Sequence, residues 1–218
     1  SPALRTWGAL GILCLGAFLV VLDTTIVNIA IPSIMTGLRS SLDQVLWVLN
    51  AYTLVYAALL ITGGRLGDLY GARRLLIVGI VVFGAASVAC ALAPSAGILI
   101  AARVLQGVGG ALLTPQTLAL IPAIMPANRR GAAIGLWSGS AGLAAAVGPS
   151  LGGVLVTTAG WRWVFLVNVP LGIAVIAGAY ALLPDVVSGR RHRLDVGGIT
   201  LASSGLLAVV FGLSLIHI

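Results

Sequence analysis

The sequence predicts an all-α transmembrane protein: a six-helix bundle built from two inverted three-helix repeats, followed by a seventh span. Three observations lead there. Hydrophobic residues make up 60% of the 218 and charged residues only 8%, with a mean hydropathy of +1.14, more apolar surface than a water-soluble core can use. Runs free of charge cover 6–22, 44–64, 75–102, 104–128, 131–161, 163–184 and 196–218, and Asp23 alone interrupts the first hydrophobic block. Each is long enough for a span, which takes about 20 apolar residues. The arginines, finally, gather on one side of the spans so defined. Barrel-strand alternation is absent, which leaves helices to satisfy the backbone in lipid.

In chain order, the spans are expected near 7–31, 44–63, 75–93, 97–121, 132–157, 163–183 and 196–217. The first runs to Ile31 at full spanning length, so no cleavable signal peptide is expected. The second ends in residues 64–74, the longest polar interruption of the first 120 residues. That stretch cannot sit in hydrocarbon and is expected to form a tight loop at the membrane surface. Pro94-Ser95 turns the third span into the fourth, residues 126–131 separate the fourth from the fifth, and Ala159-Gly160 separates the fifth from the sixth. The expected domains are the bundle 1–183, a basic linker 184–195 and the seventh span 196–218. Ser1 is not a start methionine and the last run stops without a closing loop, so the sequence is expected to be a piece of a longer chain, truncated in its seventh span.

Orientation follows from the arginines. Arg5, Arg65, Arg73, Arg74, Arg129, Arg130, Arg190, Arg191 and Arg193 fall on one side, against Arg39 and Arg162 on the other, with Arg103 inside a span. Nine against two predicts a cytoplasmic amino terminus in a cytoplasmic (inner) membrane. Trp7 then lies at the inner interface, and Trp47, Trp161 and Trp163 lie at the outer one. Spans one to three run oppositely to spans four to six, as in the inverted repeat of a transporter half. The net charge of +7, from twelve arginines and five aspartates, would suggest nucleic acid in a soluble protein. Here it tracks the membrane sides, so the expected partner is the lipid bilayer and not nucleic acid. Cys14 and Cys90 fall inside spans and read as small packing residues, without a disulfide framework.

Two charged residues lie within spans. Asp23 sits about 16 residues, roughly 24 Å, into the first. A carboxylate in hydrocarbon costs about 2.5–3.5 kcal/mol on insertion scales, so it should face water or a partner. Desolvation disfavours the charged form of a carboxyl group, which makes Asp23 a candidate proton carrier. The alternative is a residue near the outer interface that fixes a helix end, since Pro32 follows nine positions on. Arg103 heads a stripe with Gln106, Gly107, Gly110, Thr114 and Thr117, which reads either as cavity wall or as close helix packing.

Other polar positions are more ambiguous. Tyr52 and Tyr56, four apart with Asn50 and Thr53 nearby, either line a cavity for aromatic or cationic ligands or pack internally. The fifth span repeats Gly135, Gly139, Gly142, Ala146, Pro149 and Gly153, with Gly148 and Gly152 alongside, a face small enough for close backbone approach. Pro149 also frees the carbonyl of Ala145 and permits a kink. His192 and His217 have no metal-like spacing, and no phosphate loop, zinc motif or nucleophile elbow occurs, so no metal or cofactor is expected.

Several stretches resemble the major facilitator superfamily. Gly64-Arg65-Leu66-Gly67-Asp68-Leu69-Tyr70-Gly71-Ala72-Arg73-Arg74 resembles its loop motif. The stretch from Leu99 through Arg103-Val104-Leu105-Gln106-Gly107-Val108-Gly109-Gly110-Ala111 is similar to its fourth-helix motif, and Gly148-Pro149-Ser150-Leu151-Gly152-Gly153 to its fifth-helix antiporter motif. Leu22-Asp23-Thr24-Thr25-Ile26-Val27-Asn28, continuing to Pro32, is similar to the fourteen-helix drug:proton antiporter branch. So are residues 161–172, with Asn168 and Pro170, and Asp195-Val196-Gly197.

The resemblance implies an MFS-type bundle that exports lipophilic, often cationic compounds in exchange for protons. It implies that Asp23 and Arg103 serve coupling or substrate binding, facing one central cavity with Asn28, Asn50, Tyr52, Tyr56 and Gln106 as further cavity candidates. It also implies that Asp68 latches a cytoplasmic gate with Arg73 or Arg74, within a gating loop containing Gly64 and Gly71, and that Gly148, Pro149, Gly152 and Gly153 shape antiport. The implied partners are a small-molecule substrate, protons and a missing carboxy-terminal transporter half. Leu69 and Ala72 depart from the loop pattern, where basic residues are frequent, and Ala144 replaces a frequent glycine of the fifth-helix motif.

Other functions are weighed against this one. A uniporter or importer of a small metabolite on the same fold is disfavoured by Asp23 and the fifth-helix motif. An intramembrane enzyme could use the hydroxyls of Ser138 and Ser140, but no base shares their depth, so the protein is not expected to be an enzyme. A non-transporting assembly module has no use for a buried Asp23.

Overall fold

The computed structural model describes residues 2–185 and Gly205. It contains the helices α1 (Pro2–Leu38), α2 (Leu42–Tyr70), α3 (Ala72–Leu92), α4 (Ala96–Ala119), α5 (Ile121–Ile124), α6 (Arg130–Thr158), α7 (Trp163–Leu166) and α8 (Asn168–Leu182), and no strand among the described residues. Six segments are long and apolar enough to cross a membrane: α1 to α3, α4 with α5, α6 with the 3-10 turn before it, and α7 with α8. The expected seventh span, most of the linker, His192 and His217 lie outside the described residues.

Helix ends follow local chemistry. Ser41 and Gln44 form a reciprocal capping box at the start of α2: Gln44 N donates to Ser41 Oγ at 3.3 Å and Ser41 N to Gln44 Oε1 at 3.2 Å. Ser95 Oγ caps α4 by accepting from Ile98 N at 3.4 Å. Two expectations need correcting. The first span does not stop at Ile31, because Pro32 lies inside α1 and the helix runs on to Leu38. It ends where Arg39 takes φ 50° and Ser40 N donates back to Met35 O at 3.0 Å. Asp23 is therefore a mid-helix residue.

The second correction concerns residues 64–74, which are not a loop. α2 continues through Tyr70 and α3 begins at Ala72, with Gly71 alone turning the chain. Gly71 has φ 97°, and its N–H still bonds to Gly67 O at 2.9 Å. A side chain at that φ would be strained. The polar residues of this stretch stay helical because the last turns of α2 carry them past the apolar zone.

Packing follows the inverted repeat. α1 packs chiefly on α6 and α8, while α4 packs chiefly on α2 and α3. Exchanging spans one, two and three for four, five and six maps one set of contacts onto the other. Small residues let both seams close. A Cβ on Gly107 would lie 2.8 Å from Tyr52 O across α2–α4, and one on Gly109 would lie 2.5 Å from Phe83 N across α3–α4. On the other side Gly148 and Gly152 face Thr25 and Ile26 of α1, with Ile26 O 3.1 Å from the Cβ position of Gly152.

The interior divides into two apolar clusters. One contains Leu13, Leu19, Leu76, Phe83 and Leu113, the other Ile26, Val48, Cys90, Leu99 and Phe165. Between them lies a polar layer. Gly109→Ala should destabilise the full-length protein by about 1–3 kcal/mol through overpacking. Gly97→Ala, where a Cβ meets nothing within 4 Å, should leave it unchanged or slightly more stable. Thermal melting in detergent distinguishes the two, and equal melting points would contradict the seam geometry.

Candidate functional site

The polar layer is organised around Asp23 of α1, which has no exposed surface. Asp23 Oδ2 lies 2.5 Å from Arg103 Nη1 of α4, an ion pair whose partners are 0% and 1% exposed. Asp23 Oδ1 accepts from Gln106 Nε2 at 2.8 Å and from Asn168 Nδ2 at 2.7 Å. Gln106 Oε1 accepts from Arg103 Nη1 at 2.7 Å, so Arg103, Gln106 and Asp23 close a ring of hydrogen bonds. Arg103 and Gln106 are three apart, which puts them on one face of α4.

The second ring of contacts reaches further helices. Ser87 Oγ of α3 accepts from Gln106 at 2.8 Å and from Asn168 at 3.3 Å. Arg103 Nε donates to the Val48 carbonyl of α2 at 3.2 Å, and its guanidinium lies 4.2 Å from the centre of the Tyr52 ring. Cys90 Sγ donates to Gln106 Oε1 at 3.6 Å. The layer thus joins α1, α2, α3, α4 and α8. Asn168 Oδ1 is buried without a hydrogen-bond partner.

Burying two ions costs several kcal/mol each, and the further bonds of Asp23 to Gln106 and Asn168 and of Arg103 to Gln106 and the Val48 carbonyl offset part of that cost. Removing one partner leaves the other charged and enclosed, which costs about 3–5 kcal/mol. The arrangement can therefore exist in few charge states, and a proton added to Asp23 changes what every neighbour must do.

Asp23 and Arg103 meet each other inside the bundle and are not open to a shared cavity in this structure. Gln106 and Tyr52 are buried in the same layer, Tyr52 stacked on Tyr56 at 5.8 Å. Tyr56 and Asn50 are half-buried, and Asn28 is exposed, its Nδ2 bonded to Thr24 O at 3.1 Å. Asp68 is exposed and pairs with Arg65 at 3.5 Å, not with Arg73 or Arg74. Arg73 donates to Tyr180 O at 3.1 Å, and Arg74 lies 3.7 Å from Asp185. Gly64 sits against Pro115, and the closer approach to α4 is made by Gly63, whose carbonyl accepts from Gln116 Nε2 at 2.8 Å. Gly148 and Gly152 face α1, whereas Pro149 is exposed and Gly153 half-buried.

Ser87 and Gln116 were missed as functional candidates, and Asn168 was noted only within a motif. Asn168 is the legible one: an amide in an apolar run between Val167 and Val169 needs a buried partner. Ser87 carries no such signal, because a lone serine in a span can bond its own helix.

Six apolar spans packed as inverted repeats around an enclosed ion pair define a multi-pass membrane protein of the transporter class. A family model described as the Major Facilitator Superfamily matches residues 13–216, and the chain belongs to that superfamily. It is 44% identical over 216 residues to a probable actinorhodin transporter of Streptomyces coelicolor, covering 97% of this chain and 37% of that protein. It is 41% identical over 210 residues to a tetracenomycin C resistance and export protein of Streptomyces glaucescens, covering 96% and 39%. The chain thus spans well under half the length of these relatives. The fold is shared with a peptide transporter, POT, solved in complex with sulfate, at a TM-score of 0.74 and 18% identity, covering 95% of this chain and 45% of that one.

The pair can be tested directly. Asp23→Ala should destabilise the full-length protein by about 3–5 kcal/mol. Adding Arg103→Met should restore part of that loss, because the double variant leaves no uncompensated charge. A double-mutant cycle on melting that shows additive losses would mean the pair is not coupled.

Proposed function

We propose that this chain forms the amino-terminal half-bundle of a proton-coupled exporter of lipophilic, cationic compounds. In this reading it lies in the cytoplasmic membrane with its amino terminus inside. Residues 1–183 are the bundle, 184–195 a cytoplasmic linker and 196–218 a further span. The observation that carries the reading is Asp23, a fully buried carboxylate held at once by Arg103, Gln106 and Asn168. The names of the relatives, which speak of antibiotic transport, resistance and export, support efflux as its direction.

The chemistry of coupling follows from that geometry. An ionised Asp23 only accepts hydrogen bonds; a protonated one must also donate. Asn168 can receive that bond, because its amide oxygen has no partner and the amide can turn over. Protonation also removes the counter-charge of Arg103, which then draws toward the Val48 carbonyl and the Tyr52 ring or toward an arriving substrate. Each shift acts on a different helix, so proton binding changes how α1, α4 and α8 pack. The exposed stretch of Asp68 with Arg65, Arg73 and Arg74 is proposed to gate the cytoplasmic side. Gly148, Pro149, Gly152 and Gly153 are proposed to let α6 move against its neighbours, and Asn28, Asn50 and Tyr56 to line the cavity that the rest of the transporter completes.

A second reading, a rigid brace without proton exchange, is favoured by the complete enclosure of the pair. Everted vesicles containing the full-length protein separate the two. Asp23→Asn keeps the shape of the side chain, and variant protein shown to be inserted and monodisperse should give no efflux of a fluorescent cation driven by a pH gradient. Arg103→Ala should change the pH dependence of transport and not merely its amount. Efflux by Asp23→Asn with an unchanged pH profile would leave the brace as the correct reading. A cysteine at position 70, where Tyr70 is 59% exposed, should react with an impermeant label only from the inside, and labelling from outside would reverse the orientation.

A further inference from the structure

α3 and α8 pack against each other, joined on the inside by the Ser87–Asn168 bond of the polar layer, and the exposed outer side of their seam carries two clefts lined by both helices. At the end nearest Gly71 lies a cleft of about 400 Å³ with Arg73, Arg74, Tyr180 and Asp185 at its rim and Ile77 and Val78 at its floor. Further along the same two helices lies a second groove of about 270 Å³, apolar throughout, with Gly84 and Ala85 on one wall and Gly172 and Ile173 on the other. Residue order joins the two: Arg74, Val78, Val81, Ala85 and Val88 follow one another down α3, and Tyr180, Ile176, Ile173 and Val169 down α8. From Arg74 to Val88 the helix rises about 21 Å.

We propose that this seam binds an anionic phospholipid, with its phosphate between Arg73 and Arg74 and one acyl chain lying in the groove over Gly84. The charge complements that headgroup. Arg73 uses one N–H on the Tyr180 carbonyl and stacks 5.4 Å from that ring, which holds the guanidinium at the rim with other donors free to face a phosphate. Arg74 is 69% exposed, and its contact to Asp185 at 3.7 Å is beyond hydrogen-bonding distance. An exposed pair of that kind is weak, so a phosphodiester can take the carboxylate's place, and the rim carries two positive charges against one negative.

The length and composition of the groove select a lipid over a free phosphate. From Ile77 to Val88, about 16 Å of apolar wall follows where the charges end. A Cβ at Gly84 would meet nothing within 4 Å, so space is open there that a chain of methylenes can fill. Tyr180, 63% exposed at the rim, is placed as an interfacial aromatic. The site lies in the leaflet on the Gly71 side, which is the cytoplasmic one in the orientation proposed above. Arg73 and Arg74 also belong to the proposed gate, so the test reads lipid retention and not transport.

The test uses the full-length protein in detergent and native mass spectrometry, titrated with palmitoyl-oleoyl phosphatidylglycerol, with phosphatidylcholine of the same chains, and with inorganic phosphate. Phosphatidylglycerol should be retained about fivefold better than phosphatidylcholine, given roughly fivefold for each of the two arginines and the loss of a similar factor to the opposing Asp185. The double variant Arg73→Gln/Arg74→Gln should remove that preference, and Asp185→Asn should increase it. Gly84→Leu, which adds bulk into open space and leaves packing intact, should lower retention of both lipids. A preference unchanged in the arginine variant would overturn the proposal. So would displacement of phosphatidylglycerol by inorganic phosphate together with normal retention by Gly84→Leu, since the site would then belong to a free phosphate.

Discussion

A carboxylate and a guanidinium cannot each be enclosed separately in apolar surroundings, and the pairing of Asp23 with Arg103 sets the terms for the rest of the bundle. Each ion alone would cost more than the packing around it returns. Together they still leave lone pairs and N–H groups to satisfy. Gln106 supplies an acceptor for Arg103 and a donor for Asp23, and Asn168 supplies a second donor. The Val48 carbonyl and the Tyr52 face take the far side of the guanidinium. Because these groups come from α1, α2, α4 and α8, satisfying one charge fixes the relative register of four helices. The apolar clusters on either side pack without direction, and they do not specify register as a directional network does.

That network closes only if the helices come close, which explains where the small residues fall. α4 carries Gly107, Gly109 and Gly110 just beyond Arg103 and Gln106, facing Tyr52, Phe83 and Tyr56. Larger residues there would hold α2 and α3 away and leave the polar layer with gaps. Gly148 and Gly152 do the same for α6 against α1, directly beside Asp23 in the sequence of α1 contacts, at Thr25 and Ile26. The two seams are related by the inverted repeat, so the same device appears once in each half of the bundle.

The sequence made the spans legible because lipid tolerates so few charges: every interruption by Asp or Arg marked an end or a site. It made Asp23 and Arg103 legible for the same reason. Their direct contact was not, since the residues are 80 apart and nothing local records which helices adjoin. The boundaries that failed did so for identifiable causes. Pro32 suggested a stop, but proline in a long membrane helix is tolerated where neighbours pack around it. Residues 64–74 suggested a loop because they are polar, yet polarity says only that a segment leaves the hydrocarbon, not that its backbone leaves the helix. Among the cavity candidates, Gln106 and Tyr52 could not be told apart from packing residues by spacing alone, because a cavity wall and a buried seam show the same periodicity.

α6 stands outside the polar layer, and this difference matters for any motion of the bundle. It contributes no side chain to the Asp23 network. Near Gly148 and Gly152 it touches α1 through small residues and van der Waals contact, which have no preferred register. Its directional bonds lie at the other end, where Trp137 Nε1 donates to Thr117 Oγ1 at 3.0 Å and Ser140 Oγ to the Cys14 carbonyl at 3.1 Å. Pro149 lies in the unbonded part, beside Gly148, and removes one backbone hydrogen bond from the helix. Under the proposed coupling, a change of charge in the polar layer would shift α1, and α6 from Gly148 onward would follow by sliding while the segment holding Trp137 and Ser140 stays anchored. The helix least involved in the ion pair is therefore the one whose construction best permits displacement by it.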